Sequence, residues 1–175
     1  MPSLVIGGNG FLGSHLVRQL VDAGEEVRVF TRPTSDLRTL AGLGVDHVTG
    51  DLFDADAVAR AMTGCDVVFH CAVDTRAWLR DPAPLYRTNV EALRSVLDVA
   101  ARMPLRKFVF TSTAATIGRV NGRRATEDDV FNWAARAPEY VRSRVAAGEQ
   151  KAAIGRSGDE VGRAGDLTLF PGLFQ

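Results

Sequence analysis

The sequence predicts an α/β fold, a doubly wound parallel sheet of about six strands, on three observations. Short apolar runs alternate with longer segments of helical period along the 175 residues. The runs are apolar throughout rather than at every second residue, as expected for parallel strands covered by helices on both sides. The first run breaks into glycines spaced three apart, at Gly7, Gly10 and Gly13, just where a helical pattern begins.

Each element has its own signal. Residues 3–7 are an apolar run stopped by Gly7 and form the first strand. A helix follows from about Gly10 to Ala23, with Leu12, Leu16 and Leu20 on one stripe and Gly24 as the residue past its end. Residues 27–31 are the second strand. Ser35 is expected to cap a short helix carrying Leu37 and Leu40. Residues 45–49 are a weaker third strand, and Asp54 caps a helix that ends before Gly64. Residues 66–70 are the fourth strand. Pro84 stands near the start of a long helix holding Leu85, Leu93, Val96, Leu97 and Ala100, with Pro104 marking its end. Residues 107–111 are the fifth strand. From 147 to 165 the glycines Gly148, Gly155, Gly158, Gly162 and Gly165 crowd a span where a helix belongs. Each costs a helix about 1 kcal/mol relative to alanine, so a frayed or broken helix is expected there. Residues 166–170 read as a short sixth strand closed by Pro171 and Gly172. Right-handed crossovers then give the order 3-2-1-4-5-6.

Composition narrows the function classes. Lys plus Arg equals Asp plus Glu at 21 each, so the formal charge is zero and nothing favours nucleic acid or an anionic membrane as partner. No run approaches the length of a membrane span, and the N-terminus lacks the pattern of a secretory leader. Cys65 and Cys71 alone make a disulfide framework or zinc site improbable and point to a reducing, cytoplasmic setting. The histidines His15, His47 and His70 show no metal-ligand spacing.

The segment from Gly7 to Gly13 is the main functional signal. In a Rossmann-type turn the first glycine permits the tight bend, the second lets a pyrophosphate approach the backbone, and the third lets helix and strand pack closely. The free N–H groups and positive dipole end of the helix then face the phosphates. A glycine motif alone is weak, but strand, loop and helix all fall where this one requires. The end of the second strand should select the cofactor. An acid there would bond the adenosine ribose and favour NAD; this chain has Thr31, Arg32, Pro33, Thr34 and Ser35 instead. Arg32 can receive a 2′-phosphate, with Ser35 or Arg38 as helpers, so NADP is expected, with NAD as the alternative. The competing reading of Arg32 is a solvated surface charge.

The glycine spacing resembles the extended branch of the short-chain dehydrogenase/reductase superfamily, the NAD-dependent epimerase/dehydratase family. Further segments agree: residues 50–52, 70–73, 86–90, 108–114 and 166–172. Within that branch the chain looks most like dihydroflavonol-reductase-like proteins, with 3β-hydroxysteroid dehydrogenases and hopanoid-associated sugar epimerases close in pattern. The resemblance implies a dinucleotide held by Gly7, Asn9, Gly10, Phe11, Leu12, Gly13, Arg32, Ser35, Asp51, Leu52, Cys71, Ala72 and Asn89, with Asp51 meeting the adenine amino group. It also implies hydride transfer to or from a carbonyl or carbinol carbon of a small-molecule ketone, alcohol or nucleotide sugar.

The family works with a Ser or Thr, a Tyr, and a Lys four residues after the Tyr. Carried over, the hydroxyl is Thr113, with Ser112 as alternative, and the tyrosine is Tyr140. The lysine position holds Arg144, a departure from the pattern. Thr113 would orient the substrate oxygen and Tyr140 would give or take its proton. A tyrosine at its ordinary pKa of about 10 is poorly matched to that work, and a neighbouring cation lowers it. Arg144 lies one helical turn on, but a guanidinium cannot relay protons. Tyr-x-x-x-basic also occurs by chance in many helices; the place of Tyr140 after the fifth strand, with Thr113 upstream, favours the catalytic reading. Glu127, Asp128 and Asp129 read as a solvated loop or cap. Trp78 and Trp133 read as packing residues flanking the pocket, His70 as a hydrogen-bonded strand end, and Cys71 as a small core residue.

Extended members of the family continue past the sixth strand into a substrate domain. Residues 1–175 are therefore expected to be the dinucleotide-binding domain, poorly defined at 147–165, without the substrate half. Leu167, Leu169, Leu173 and Phe174 would then be partly uncovered, which invites self-association. The other reading is a dinucleotide-binding or interaction module without turnover.

Overall fold

β1 (Ser3–Ile6), β2 (Val27–Thr31), β3 (Asp46–Thr49), β4 (Val67–His70) and β5 (Lys107–Phe110) form one parallel sheet in the order β3-β2-β1-β4-β5. This computed structural model describes residues 1–157. The expected order is met as far as the fifth strand, and the expected sixth strand at 166–170 lies outside the described residues.

The sheet is covered on both faces. Leu4, Ile6, Phe30, Val68, Phe108 and Phe110 point to one face and pack with Val58 and Met62 of α2 (Ala55–Met62), Leu93, Val96 and Leu97 of α4 (Ala92–Ala100), and Ala147 of α5 (Glu139–Ser157). Val5, Val27 and Val29 point to the other face and meet Val17 of α1 (Phe11–Asp22), with Leu16 and Leu20 beside it. Strands buried on both sides are why the apolar runs lack alternation. Burying one such aliphatic side chain contributes about 1.5–3 kcal/mol.

Helix ends follow local chemistry. Asp54 accepts from the Ala57 N–H at 3.0 Å and caps α2 as expected. Past α1, Gly24 N donates to the Val21 carbonyl and Glu25 N to that of Leu20, closing the helix in a Schellman arrangement. Ser35 does not cap a helix. The short 3-10 turn Arg38–Leu40 begins after Leu37 without a side-chain cap, and Asp36 takes the Arg38 N–H instead.

The long helix after Pro84 has two α-helical parts, α3 (Ala83–Tyr86) and α4, joined through a π-helical turn at Arg87–Glu91. α5 runs unbroken past Gly148 to Ser157 rather than fraying from 147 on. Ala147 is fully buried in the core beside α4, so packing outweighs the glycine penalty. Residues 158–165, where further breaks were expected, lie outside the described part.

Candidate functional site

A cleft of about 1000 Å³ opens at the C-terminal ends of β1, β2, β4 and β5, where the chain leaves β1 in one direction along the sheet and β4 lies in the other. In open α/β sheets that crevice is where ligands bind. Gly7, Asn9, Gly10, Phe11, Leu12 and Gly13 line its floor.

The three glycines of the turn meet three different demands. Gly7 has φ +77°, which a side chain disfavours, and a Cβ there would lie 2.8 Å from the Ala72 backbone nitrogen. A Cβ on Gly13 would lie 2.3 Å from the Gly7 carbonyl oxygen, so α1 can approach β1 only without one. At Gly10 a Cβ would touch nothing closer than 3.4 Å. Protein packing therefore does not require a glycine at 10; the space above it is open to the cleft. Gly10 also precedes α1 without any side-chain cap, which leaves the first N–H groups of the helix free for a ligand.

The wall beyond β2 carries Thr31, Arg32 and Ser35. Ser35 N donates to the Arg32 carbonyl at 3.0 Å in a turn with Pro33 at its second position. Arg32 is exposed and its side chain has no hydrogen bond or ion pair among the described residues, whereas Arg38 is paired with Asp36 at 2.6 Å and does not line the cleft. Across from them stand Asp51 and Leu52; the Asp51 carboxylate accepts the Phe53 N–H at 2.9 Å. Cys71 and Ala72 close the floor after β4; Cys71 is half-buried, packed against the core cluster of Val5, Val17 and Val29 while also lining the cleft, and its Sγ takes a 3.7 Å contact from the Thr111 hydroxyl.

Asn89, like Arg38, is expected at the cofactor but does not line the cleft. It is buried in the π-helical turn, where its Oδ1 accepts the Asp74 N–H at 2.8 Å and its Nδ2 donates to the Asp74 carbonyl and to Ser143 Oγ. Ser143 Oγ in turn donates to the Tyr140 carbonyl at 2.7 Å. Asn89 thus ties the segment after β4 to the first turns of α5. Asp74 also receives Arg76 at 2.5 Å, and that guanidinium holds its carboxyl below the usual range. Sequence reasoning passes over Asp74, Arg76, Arg87 and Thr111, all of which line the cleft.

Thr113, Tyr140 and Arg144 lie on the side of β5 and α5. None of the three lines the cleft; Thr111 does. Thr113 is half-buried and its hydroxyl accepts the Ala115 N–H at 3.3 Å, capping the short 3-10 turn Ala114–Thr116. Tyr140 is half-buried near the start of α5. Arg144 is buried, with its guanidinium 4.5 Å from the centre of the Phe110 ring and one bond to the Thr111 carbonyl. Its Nε and Nη1 have no partner among the described residues. Burial lowers its pKa to about 10, against an opposing effect of Tyr140.

His70 ends β4 beside this group and is buried. Its Nδ1 has no partner among the described residues, and burial with the nearby Arg144 charge lowers its pKa to about 3, so the ring is neutral. The expected hydrogen-bonded strand end is therefore incomplete at Nδ1.

The loop after β5 is closed on itself. Asn132 Nδ2 donates to the Arg119 carbonyl, its Oδ1 accepts the Arg119 N–H, and Trp133 Nε1 donates to the Ile117 carbonyl. Arg119 lies over the Trp133 ring at 4.2 Å, so Trp133 packs locally, while Trp78 is exposed. In the acidic cluster Asp129 pairs with Arg123 and accepts the Thr126 N–H, which lowers its pKa to about 2; Glu127 and Asp128 are exposed. Among the described residues no group of three or more His, Cys, Asp or Glu could hold a metal, and no helix is long and apolar enough to cross a membrane.

Comparison with known proteins adds to this geometry. Residues 3–161 match the model of the NAD dependent epimerase/dehydratase family. The chain is 40% identical over 124 residues to a putative dihydroflavonol 4-reductase of Synechocystis sp., covering 70% of this chain and 36% of that protein. It is 35% identical over 128 residues to sterol demethylase protein B of Methylococcus capsulatus, covering 73% of this chain and 39% of that one. Among solved structures, a Thermus thermophilus UDP-glucose 4-epimerase in complex with NAD superposes with a TM-score of 0.76 at 29% identity, over 90% of this chain and 51% of that one. The chain thus spans less than two fifths of the length of these two relatives and about half of that structure.

Proposed function

The chain belongs to the NAD-dependent epimerase/dehydratase family, and on that premise we propose that residues 1–175 are the dinucleotide-binding domain of an NAD(P)-dependent oxidoreductase of the dihydroflavonol-reductase or epimerase type. The observation that carries this reading is the open space above Gly10. A glycine that no neighbour requires, at an uncapped helix start on the floor of the cleft, fits a pyrophosphate. The family is NAD-dependent; for this chain we propose NADP. Arg32 faces the cleft with no partner among the described residues, and the second strand ends without the acid that would bond ribose hydroxyls. Asp51 and Leu52 would hold the adenine. Asn89 would act from behind, by fixing the loop that carries Asp74.

When bound, the nicotinamide would supply or accept a hydride. Thr113 would orient the substrate oxygen once its hydroxyl turns from the Ala115 N–H. Tyr140 would hold or take the proton at its phenolic oxygen. Arg144 would offer Nε and Nη1, two buried donors now unsatisfied, to the ribose on the nicotinamide side. Its guanidinium passes no proton on. Substrates of the proposed reaction are small ketones, alcohols or nucleotide sugars. A cytoplasmic setting is part of the proposal, in keeping with two free thiols.

Calorimetric titration with NADPH and NADH tests the cofactor reading. Tighter binding of NADPH, lost in Arg32→Ala, is expected; equal affinities would overturn it. A second reading, a module that binds dinucleotide without turnover, is favoured by one observation: Thr113, Tyr140 and Arg144 all stand off the cleft, with Arg144 turned to the Thr111 carbonyl. NADPH consumption against a panel of ketones and nucleotide sugars separates the two.

A further inference from the structure

The loop that carries Arg32 is tied to the phosphate turn by two bonds and to α1 by a third. Thr39 Oγ1 donates to the Asn9 carbonyl at 2.9 Å. Asn9 Nδ2 donates to the Asp36 carbonyl at 3.3 Å. Arg18, about two turns into α1, donates to the Thr39 carbonyl at 2.6 Å. Between the buried Thr31 at the end of β2 and the buried Leu40, residues 32–39 are exposed apart from the half-buried Ser35. β2 pairs with β1 and sets where the loop starts, and the bonds to Asn9 and Arg18 set where its far part lies against the turn.

We infer that Asn9, Thr39 and Arg18 form a clamp that sets the cofactor preference, with Thr39 as a positioning residue for Arg32. The inference rests on the NADP reading above. The argument is one of registration. A pyrophosphate on the turn and a 2′-phosphate at Arg32 belong to one molecule and are joined through a single ribose, so both contacts form together without strain only if loop and turn keep their separation. Arg38 offers no substitute, because Asp36 holds it away from the cleft. Loosening the clamp therefore penalises the phosphate-bearing cofactor and leaves the other nearly untouched. Of the clamp residues, Thr39 and Arg18 do not line the cleft.

The test measures dissociation constants of NADPH and NADH, with melting temperatures, for the unaltered chain and for Thr39→Val, Thr39→Ser, Arg18→Met and Arg32→Ala. Thr39→Val removes one neutral hydrogen bond and is expected to weaken NADPH about three- to tenfold while NADH changes by less than about twofold. Thr39→Ser, which keeps the hydroxyl, restores the original ratio. Arg18→Met gives the same split without altering the loop, and decides the matter if Thr39→Val does not fold. If Arg32→Ala removes the NADPH preference but both clamp variants change the two cofactors equally or not at all, the clamp is wrong and the NADP reading stands. If Arg32→Ala leaves the preference unchanged, the NADP reading falls and the clamp with it.

Discussion

Replacing Arg144 by methionine separates the cost of a buried charge from its use. In the ligand-free chain Arg144 is 2% exposed, and the burial that lowers its pKa to about 10 corresponds to about 3 kcal/mol against the charged form. Two contacts offset this. The bond from a charged donor to the Thr111 carbonyl contributes about 1.5–3 kcal/mol. The Phe110 ring beneath the guanidinium contributes about 0.5–2 kcal/mol. The terms nearly cancel, and methionine keeps the aliphatic stem, so Arg144→Met should change the unfolding free energy by less than about 1.5 kcal/mol. Thr111 is half-buried, so its carbonyl can turn to water. Urea unfolding measures the change. The same variant should bind NADPH about tenfold more weakly, since two donors are lost to the ligand. A stability loss of about 3–5 kcal/mol, the size seen when a buried ion pair is broken, would refute the reasoning by showing that the charge already has a strong partner.

The phosphate turn, His70 and Asn89 give three more tests. Gly10→Val should abolish cofactor binding with native-like circular dichroism, whereas Gly13→Val, whose Cβ would sit 2.3 Å from the Gly7 oxygen, should unfold or strongly destabilise the chain. His70 has its folded pKa lowered from 6.5 to about 3, so the unfolded chain binds more protons between those values and stability falls as pH drops through that window. The loss approaches about 4 kcal/mol near pH 3, and a His70→Phe variant should show a flatter stability profile from pH 6.5 to 4 in denaturant titrations. Asn89→Leu leaves the Asp74 amide and carbonyl and the Ser143 hydroxyl without their partner and should cost about 3 kcal/mol by urea unfolding. An unchanged midpoint would mean that water replaces the side chain.

The parts of the fold that could be read in the sequence are those where one residue type answers one steric or hydrogen-bonding demand. Gly7, Gly13, Gly24 and Asp54 are of this kind, and so are strands buried on both faces. Pattern fails where a side chain chooses among partners. Ser35 has the chemistry of a cap, yet Asp36 takes the Arg38 N–H. Asn89 has the chemistry of a ligand contact, yet its amide is used up by Asp74 and Ser143. Arg144 stands one turn from Tyr140 as the spacing requires, but spacing along a helix says nothing of the Phe110 ring and Thr111 carbonyl that draw its guanidinium inward. Gly148 argues for a broken helix only until Ala147 is seen packed in the core.

The π-helical turn at Arg87–Glu91 amounts to one residue inserted into an α-helix. An inserted residue rotates everything after it by about 100° relative to everything before. Pro84, Arg87 and Thr88 precede or enter the turn and line the cleft; Leu93, Val96 and Leu97 follow it and fill the core. A single-residue deletion at 88 would leave an unexceptional α-helix by any local measure. Its two halves would then be out of phase with the sheet, and either the apolar side chains of α4 or the cleft-lining ones would face the wrong way. Insertions and deletions of one residue are usually absorbed by loops; here the helix is the segment whose length is counted.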